Sequence, residues 1–247
     1  MAHIVATNGV QLAFQEHGEG EPLVLLHGFT GIGDNWRHVF PDAIPGHRVI
    51  IPDLRGHGGS TNPSGSFTFR QSALDIFGLL EHLGIDRFQA IGLSAGAKTL
   101  LHMATAQPGR IEAMVLVSAT PRIPDPARAI MRMMTLESRT PEDWAQMRQW
   151  HPQGDEQIRA LWQQSVDFAT SHDDMNFTAA TLGAITARTL IVHGDRDPLY
   201  PVEVAVELYR GIPGSALWVV PHGGHGPIFG EQAAQFAAAA IGFLRTG

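Results

Sequence analysis

The sequence predicts an α/β protein: a mostly parallel sheet covered on both faces by helices. Three observations carry this. Short, nearly unbroken apolar runs recur along the chain, as expected of strands buried on both faces. Helical periodicities lie between them, so strands and helices alternate as in βαβ units. The chain is also long enough, at 247 residues, and apolar enough, at 44% hydrophobic residues, to bury a large core.

Residues 3–7 and 10–17 read as a hairpin. Asn8-Gly9 is a strong two-residue turn signal, and Val10, Leu12 and Phe14 alternate with polar neighbours. The buried-strand runs follow: Pro22 to Leu26, Val49 to Ile51, Phe88 to Ile91, Met114 to Val117, Leu190 to Val192 and Leu217 to Val220. Behind Thr68, a candidate N-cap, Phe69, Ala73, Ile76, Phe77, Leu80 and Leu83 recur at helical spacing. Phe229, Ala233, Phe236, Ala240 and Phe243 do the same near the C-terminus. From about Thr120 to Ala187 no strand pattern appears, only Met- and Trp-rich helical segments opened by Pro121, Pro124 and Pro126. This stretch reads as a helical insertion, 120–187, between two halves of a core, 1–119 and 188–247. Most of its bulky side chains are expected to attach it to the body. Met131, Met134, Trp144 and Trp162 are candidates for facing a substrate.

Composition narrows the function classes. With 17 Lys plus Arg against 24 Asp plus Glu, the formal net charge is −7, which argues against nucleic-acid binding and a polybasic membrane anchor. There is no cysteine, so disulfides, thiolate metal sites and cysteine nucleophiles are excluded. No apolar run approaches the ~18 residues that would span a bilayer, and the first residues show no signal-peptide pattern. The expectation is a cytoplasmic protein with no nucleic-acid or membrane partner.

The sharpest chemical signal is Gly92-Leu93-Ser94-Ala95-Gly96, between an apolar run and a helical pattern. Strand, tight turn and helix are the setting of a nucleophile elbow. The residues two places either side of the serine must be small because strand and helix pass close together. The turn presents the Ser94 hydroxyl at the carboxyl end of the sheet and leaves the Ala95 N–H at a helix N-terminus, which favours an anion.

A serine hydroxyl needs a base oriented by a third group. Among 13 histidines, fold position selects better than proximity. His193 to Pro198 and Pro221 to Gly226 follow late strands and leave the same sheet edge as Ser94, the edge where open α/β sheets bind ligands. In the first loop Asp197 is favoured over Asp195 as the acid, being deeper and next to Pro198. In the second His225 is favoured over His222, because flanking glycines allow close approach. A metal pair at His222 and His225 lacks a third ligand at a recognisable spacing, so no metal is expected. The early loop Leu26-His27-Gly28-Phe29-Thr30-Gly31 offers the Phe29 N–H as a second oxyanion donor beside Ala95, with the Phe29 ring lining the pocket. His27 reads as structural. Asp53 to Ser60 lacks a P-loop lysine and reads as a structural turn, and the glycines from Gly28 to Gly33 do not match a dinucleotide fingerprint.

Together, the His27-Gly28-Phe29 loop, the Asp53-to-Ser60 turn, the Gly92-to-Gly96 elbow, the Gly194-to-Pro198 loop and the Gly223-to-Pro227 loop resemble the α/β-hydrolase superfamily along nearly the whole chain. The resemblance implies a mostly parallel eight-stranded sheet with a cap after the sixth strand. It implies a Ser94–His225–Asp197 triad with Phe29 and Ala95 as oxyanion donors, acting without a cofactor. Relatives that open epoxides or cleave carbon–halogen bonds carry an aspartate at the position of Ser94, so this chain departs from them. What remains spans carboxylesterase, lactonase, thioesterase, perhydrolase, carbon–carbon bond hydrolase and hydroxynitrile lyase, with a non-catalytic receptor of the same fold as the contrasting class. The expected partner is a small-molecule ester or lactone, with esters of short or medium acyl or aryl groups placed first.

Overall fold

The computed structural model describes residues 3–245. Eight strands form one sheet: β1 (His3–Thr7), β2 (Val10–His17), β3 (Glu21–Leu26), β4 (His47–Pro52), β5 (Phe88–Leu93), β6 (Ile111–Val117), β7 (Arg188–Gly194) and β8 (Ala216–Val220). Their spatial order is β1-β2-β4-β3-β5-β6-β7-β8. The first two pairings are antiparallel and the rest parallel.

The hairpin turns at Asn8-Gly9, where both residues have positive φ, 44° and 78°. That is the left-handed pair a tight hairpin needs, and Asn and Gly tolerate it best. Leu23, Val24, Leu25 and Leu26 in β3 are at most 1% exposed, because helices cover both faces. One apolar cluster packs under α1 (Phe69–His82), α2 (Ala95–Ala106) and α7 (Val202–Gly211), and the other under α8 (Ala233–Arg245). Thr68 caps α1, its Oγ1 accepting the Gln71 N–H at 3.0 Å. β8 differs from its expected buried run: at the sheet edge, Leu217, Trp218 and Val219 are only half-buried. The last helix starts later than its periodicity suggests, because residues 230–232 form a separate 3-10 turn.

Between β6 and β7 the chain makes α3 (Asp125–Met133), α4 (Pro141–Trp150), α5 (Asp155–Asp167) and the single turn α6 (Ala179–Leu182). Its only extended pairing among the described residues is the bridge Arg122–Asn176. The helical segment lies over the carboxyl ends of the strands, held by hydrogen bonds to core loops. Gln157 donates to the Gly56 and Gly58 carbonyls at 3.0 and 2.9 Å, and Gln153 to that of Ser60 at 3.0 Å.

Candidate active site

Ser94 stands between β5 and α2 with φ +49°, a strained conformation for a residue with a Cβ. The spacing of the flanking glycines follows from contact. A Cβ on Gly92 would lie 2.6 Å from the Ala97 nitrogen, and one on Gly96 would lie 2.2 Å from the Leu26 carbonyl oxygen. That closeness lets the Gly96 N–H donate to the His27 carbonyl at 3.0 Å, stitching the elbow to the loop after β3.

The two late loops meet beside it. The Arg196 N–H donates to the Gly223 carbonyl at 2.9 Å, which joins the loop after β7 to the loop after β8. His225 Nε2 lies 2.8 Å from Ser94 Oγ, and His225 Nδ1 lies 2.8 Å from Asp197 Oδ2. The other oxygen of Asp197 accepts the N–H groups of Leu199 and Tyr200 at 2.8 and 3.1 Å. Burial raises the Asp197 carboxyl, but the His225 bond and charge, with those two N–H groups, outweigh it and hold the group below the ordinary carboxylate range. Asp195 and His222, the competing candidates, are exposed and outside this chain of contacts. Among the described residues no group of three or more His, Cys, Asp or Glu side chains is placed to hold a metal ion.

The Phe29 and Ala95 N–H groups have no acceptor among the described residues; Ala95 follows Ser94 directly, and Phe29 shares the cavity wall with Ser94. The Phe29 loop is held by histidines. His27 accepts the Leu54 N–H on Nε2 at 2.9 Å and donates from Nδ1 to the Gly28 carbonyl at 2.7 Å. His57 accepts the Thr30 N–H at 3.1 Å, while His151 donates to the Thr30 carbonyl at 3.0 Å. Thr30, at φ +63°, is thus gripped at both polar groups. In the turn from Asp53 to Ser60, Asp53 accepts the N–H groups of Gly33 and Gly59 at 2.8 and 2.9 Å. That carboxylate fills the turn and leaves no anion cradle.

A cavity of about 360 Å³ opens beside Ser94 and His225, walled by Phe29, Met131, Met134, Phe168 and Tyr200 among others. A second cavity of about 330 Å³, lined by Trp36, Trp150 and Phe229, adjoins it across Gly28, Phe29, Thr30 and Leu93. Met131, Met134 and Phe29 line the cavity that holds Ser94 and His225. Trp144 and Trp162 do not. They pack edge to face with ring centroids 4.7 Å apart and, with Met147, Ile158 and Leu161, form a small core inside the helical segment. Trp144 and Met147 from α4, with Ile158 and Leu161 from α5, give Trp162 a hydrophobic site of its own, and it is 3% exposed. In their place the structure brings in Phe168, Leu199, Tyr200 and Lys98. Only Lys98 had a visible sequence signal: the one charged side chain apart from His102 in the twelve-residue, otherwise mostly apolar α2.

The chain belongs to the α/β-hydrolase family: the family model described as alpha/beta hydrolase fold matches residues 21–155, and a second, described as TAP-like protein, matches residues 156–247. It is 24% identical over 97% of its length to a 2-hydroxy-6-oxo-6-(2'-aminophenyl)hexa-2,4-dienoic acid hydrolase of Metapseudomonas resinovorans, covering 89% of that protein. It is 34% identical to a soluble epoxide hydrolase of a Corynebacterium strain, but over 48% of this chain and 42% of that protein. Among solved structures, a thermophilic esterase from Thermogutta terrifontis superposes with a TM-score of 0.77 at 27% identity, covering 99% of this chain and 98% of that one. No helix among the described residues is long and apolar enough to cross a membrane.

Proposed function

We propose that the protein is a serine hydrolase that cleaves carboxylic esters of short or medium acyl or aryl groups through an acyl-enzyme on Ser94, with lactones as the next class. The observation that carries this reading is the unbroken chain Ser94 Oγ–His225–Asp197, with both links at 2.8 Å, at the mouth of an apolar cavity. His225 Nδ1–H donates to Asp197, which leaves Nε2 free to take the Ser94 proton as Oγ attacks the ester carbonyl. The tetrahedral oxyanion is received by the Phe29 and Ala95 N–H groups, each worth about 3 kcal/mol in such a site. His225 returns the proton to the departing alcohol, and water repeats the sequence to free the acid and Ser94. Every proton in this cycle is held by Ser94, His225, the leaving group or water.

A carbon–carbon bond hydrolase is the second reading, favoured by the end-to-end match to the dienoic acid hydrolase. It uses the same hydroxyl and imidazole, and differs in requiring a ketone as the electrophile and a carbanion as the leaving group. Epoxide opening is at odds with Ser94, since it calls for a carboxylate nucleophile.

A fluorophosphonate probe tests the nucleophile. Labelling of Ser94, lost in Ser94→Ala, with a fall in p-nitrophenyl butyrate turnover of roughly 10⁴-fold or more, is the expected result. An unlabelled Ser94, or near-normal turnover in the variant, overturns the reading. One slow burst without further turnover favours a receptor, and faster cleavage of a vinylogous 1,5-diketone than of any ester favours the carbon–carbon reading.

A further inference from the structure

Lys98 is the charged residue the proposed mechanism does not use. It lies one turn beyond Ser94 on α2, and its backbone N–H donates to the Ser94 carbonyl at 2.9 Å. Its side chain is 2% exposed and forms part of the wall of the cavity that holds Ser94 and His225. Among the described residues it is the only lysine or arginine in that wall, which contains no carboxylate. Lysine is almost never fully buried unless it is paired. Among the described residues Lys98 forms no ion pair. Nζ donates to Tyr200 Oη at 3.0 Å and lies 4.2 Å from the centre of the Phe69 ring.

The two carboxylates whose charges reach it, Asp174 and Asp197, are engaged elsewhere. Asp174 accepts the N–H groups of Phe69 and Arg70 at 2.6 and 3.1 Å and faces His102. Asp197 is taken up by His225, Leu199 and Tyr200. A methionine at this position would fill the space among Phe69, Phe168 and Tyr200 without desolvating a charge. Among the described residues Tyr200 Oη is the one hydrogen-bond acceptor of an ammonium that has three N–H groups, the rest of its surroundings being the Phe69, Phe168 and Tyr200 rings and the cavity.

We propose that Lys98 anchors a carboxylate carried on the acyl part of the substrate, so that the preferred substrates are acidic esters: half-esters of short dicarboxylic acids, or lactones bearing a carboxylate. This rests on the serine-hydrolase reading above. The acyl side is assigned by exposure. The His225 side chain is 26% exposed, so the alcohol leaves and water arrives along its open edge. The buried Lys98 end then keeps the part of the substrate that stays attached to Ser94. Ser94 caps α2 and Lys98 follows in its first turn, and both line one cavity, so the carboxylate stands a short chain away from the scissile carbonyl. The second cavity, rich in Trp and Phe side chains, suits an apolar leaving group.

The state of the amine agrees with this geometry. Burial pulls its pKa from 10.5 down to about 7, against the more distant Asp174 and Asp197, which act to raise it. A bound carboxylate would restore the full charge.

The test compares p-nitrophenyl hydrogen glutarate with p-nitrophenyl valerate, which match in chain length and differ in the terminal carboxylate. The wild-type protein is expected to favour the glutarate half-ester at least 10-fold in kcat/KM, and Lys98→Met to reduce that ratio at least 10-fold. Calorimetry with glutarate alone reads the anchor without chemistry, and an affinity at least 10-fold weaker in Lys98→Met supports it. Equal rates on the two esters in the wild type overturn the proposal whether or not Lys98→Met folds, as does glutarate affinity unchanged by the substitution. In that case valerate turnover and a labelled Ser94 leave the esterase reading standing. An unlabelled Ser94 with no turnover of either ester sinks that reading instead, while the glutarate measurement still decides the anion site.

Discussion

His151, at the end of α4, donates its Nε2–H to the carbonyl of Thr30 at 3.0 Å. Its Nδ1 accepts the Gly58 N–H at 2.9 Å, so one neutral imidazole joins the helical segment to two loops of the core. The ring has one donor and one acceptor nitrogen, and both are used. Thr30 follows Phe29, so this contact also sets where the candidate oxyanion donor lies.

Acid is therefore expected to loosen the site. Burial, then neighbouring His27, pulls His151 from 6.5 down to about 4, against the Thr30 bond and Asp53. Burial also lowers His27 and His57, and His57 is lowered further by His27 and His151. Below pH 6.5 the unfolded chain takes up protons that the folded one refuses. Stability is therefore complete above about 6.5 and is lost as pH falls toward 4. At about 1.4 kcal/mol per tenfold change in proton affinity, His151 alone accounts for about 3 kcal/mol. Melting temperatures between pH 7 and pH 4 should fall steeply for the wild type and less steeply for His151→Gln. Identical slopes would mean that this ring does not report the acid sensitivity.

Asp197→Asn should lower kcat about 10⁴-fold, because an amide can hold the imidazole in the wrong tautomer. Asp195→Asn, at an exposed position, should change it less than about 3-fold. Steady-state kinetics on one ester decides the matter, and the opposite ranking would reassign the acid.

Gly96→Ala should destabilise the fold by about 3 kcal/mol or more, since its Cβ would meet the Leu26 carbonyl oxygen at 2.2 Å and neither backbone has room to retreat. Gly242→Ala on α8 is the control. A Cβ there meets nothing within 4 Å, and alanine is the better helix former by about 1 kcal/mol. Urea midpoints should move in opposite directions, and a tolerated Gly96→Ala would show that the elbow can relax.

Trp162→Ala should cost about 3 kcal/mol while leaving the acyl-length preference of the folded protein unchanged. Met134→Ala should instead shift that preference by about 10-fold, the scale of a hydrophobic pocket losing a few methylenes. A panel of p-nitrophenyl esters reads both, and a specificity change in Trp162→Ala alone would return the tryptophan to the substrate cavity.

The parts of this protein legible in its sequence are those governed by local rules. Asn8-Gly9 states its turn, and the run from Leu23 to Leu26 states its burial on two faces. Gly92, Ser94 and Gly96 state a contact that forbids any Cβ on either flank. The loops that bring Asp197 and His225 to Ser94 were legible because each leaves the carboxyl end of a strand in a fixed order along the chain. Tertiary packing alone decided what the helical segment does with its large side chains. Periodicity marks Met134 and Trp162 equally as apolar, yet Met134, at the end of α3, shares the cavity wall with Ser94, while Trp162 on α5 packs against Trp144 on α4. It also decided the fate of the polar residues. His57 and His151 look like surface groups in the chain, and Lys98 is a lone ammonium in a mostly apolar helix, yet folding removes all three from water. Which acceptor, ring or cavity each then faces depends on segments as distant in sequence as Thr30 is from His151.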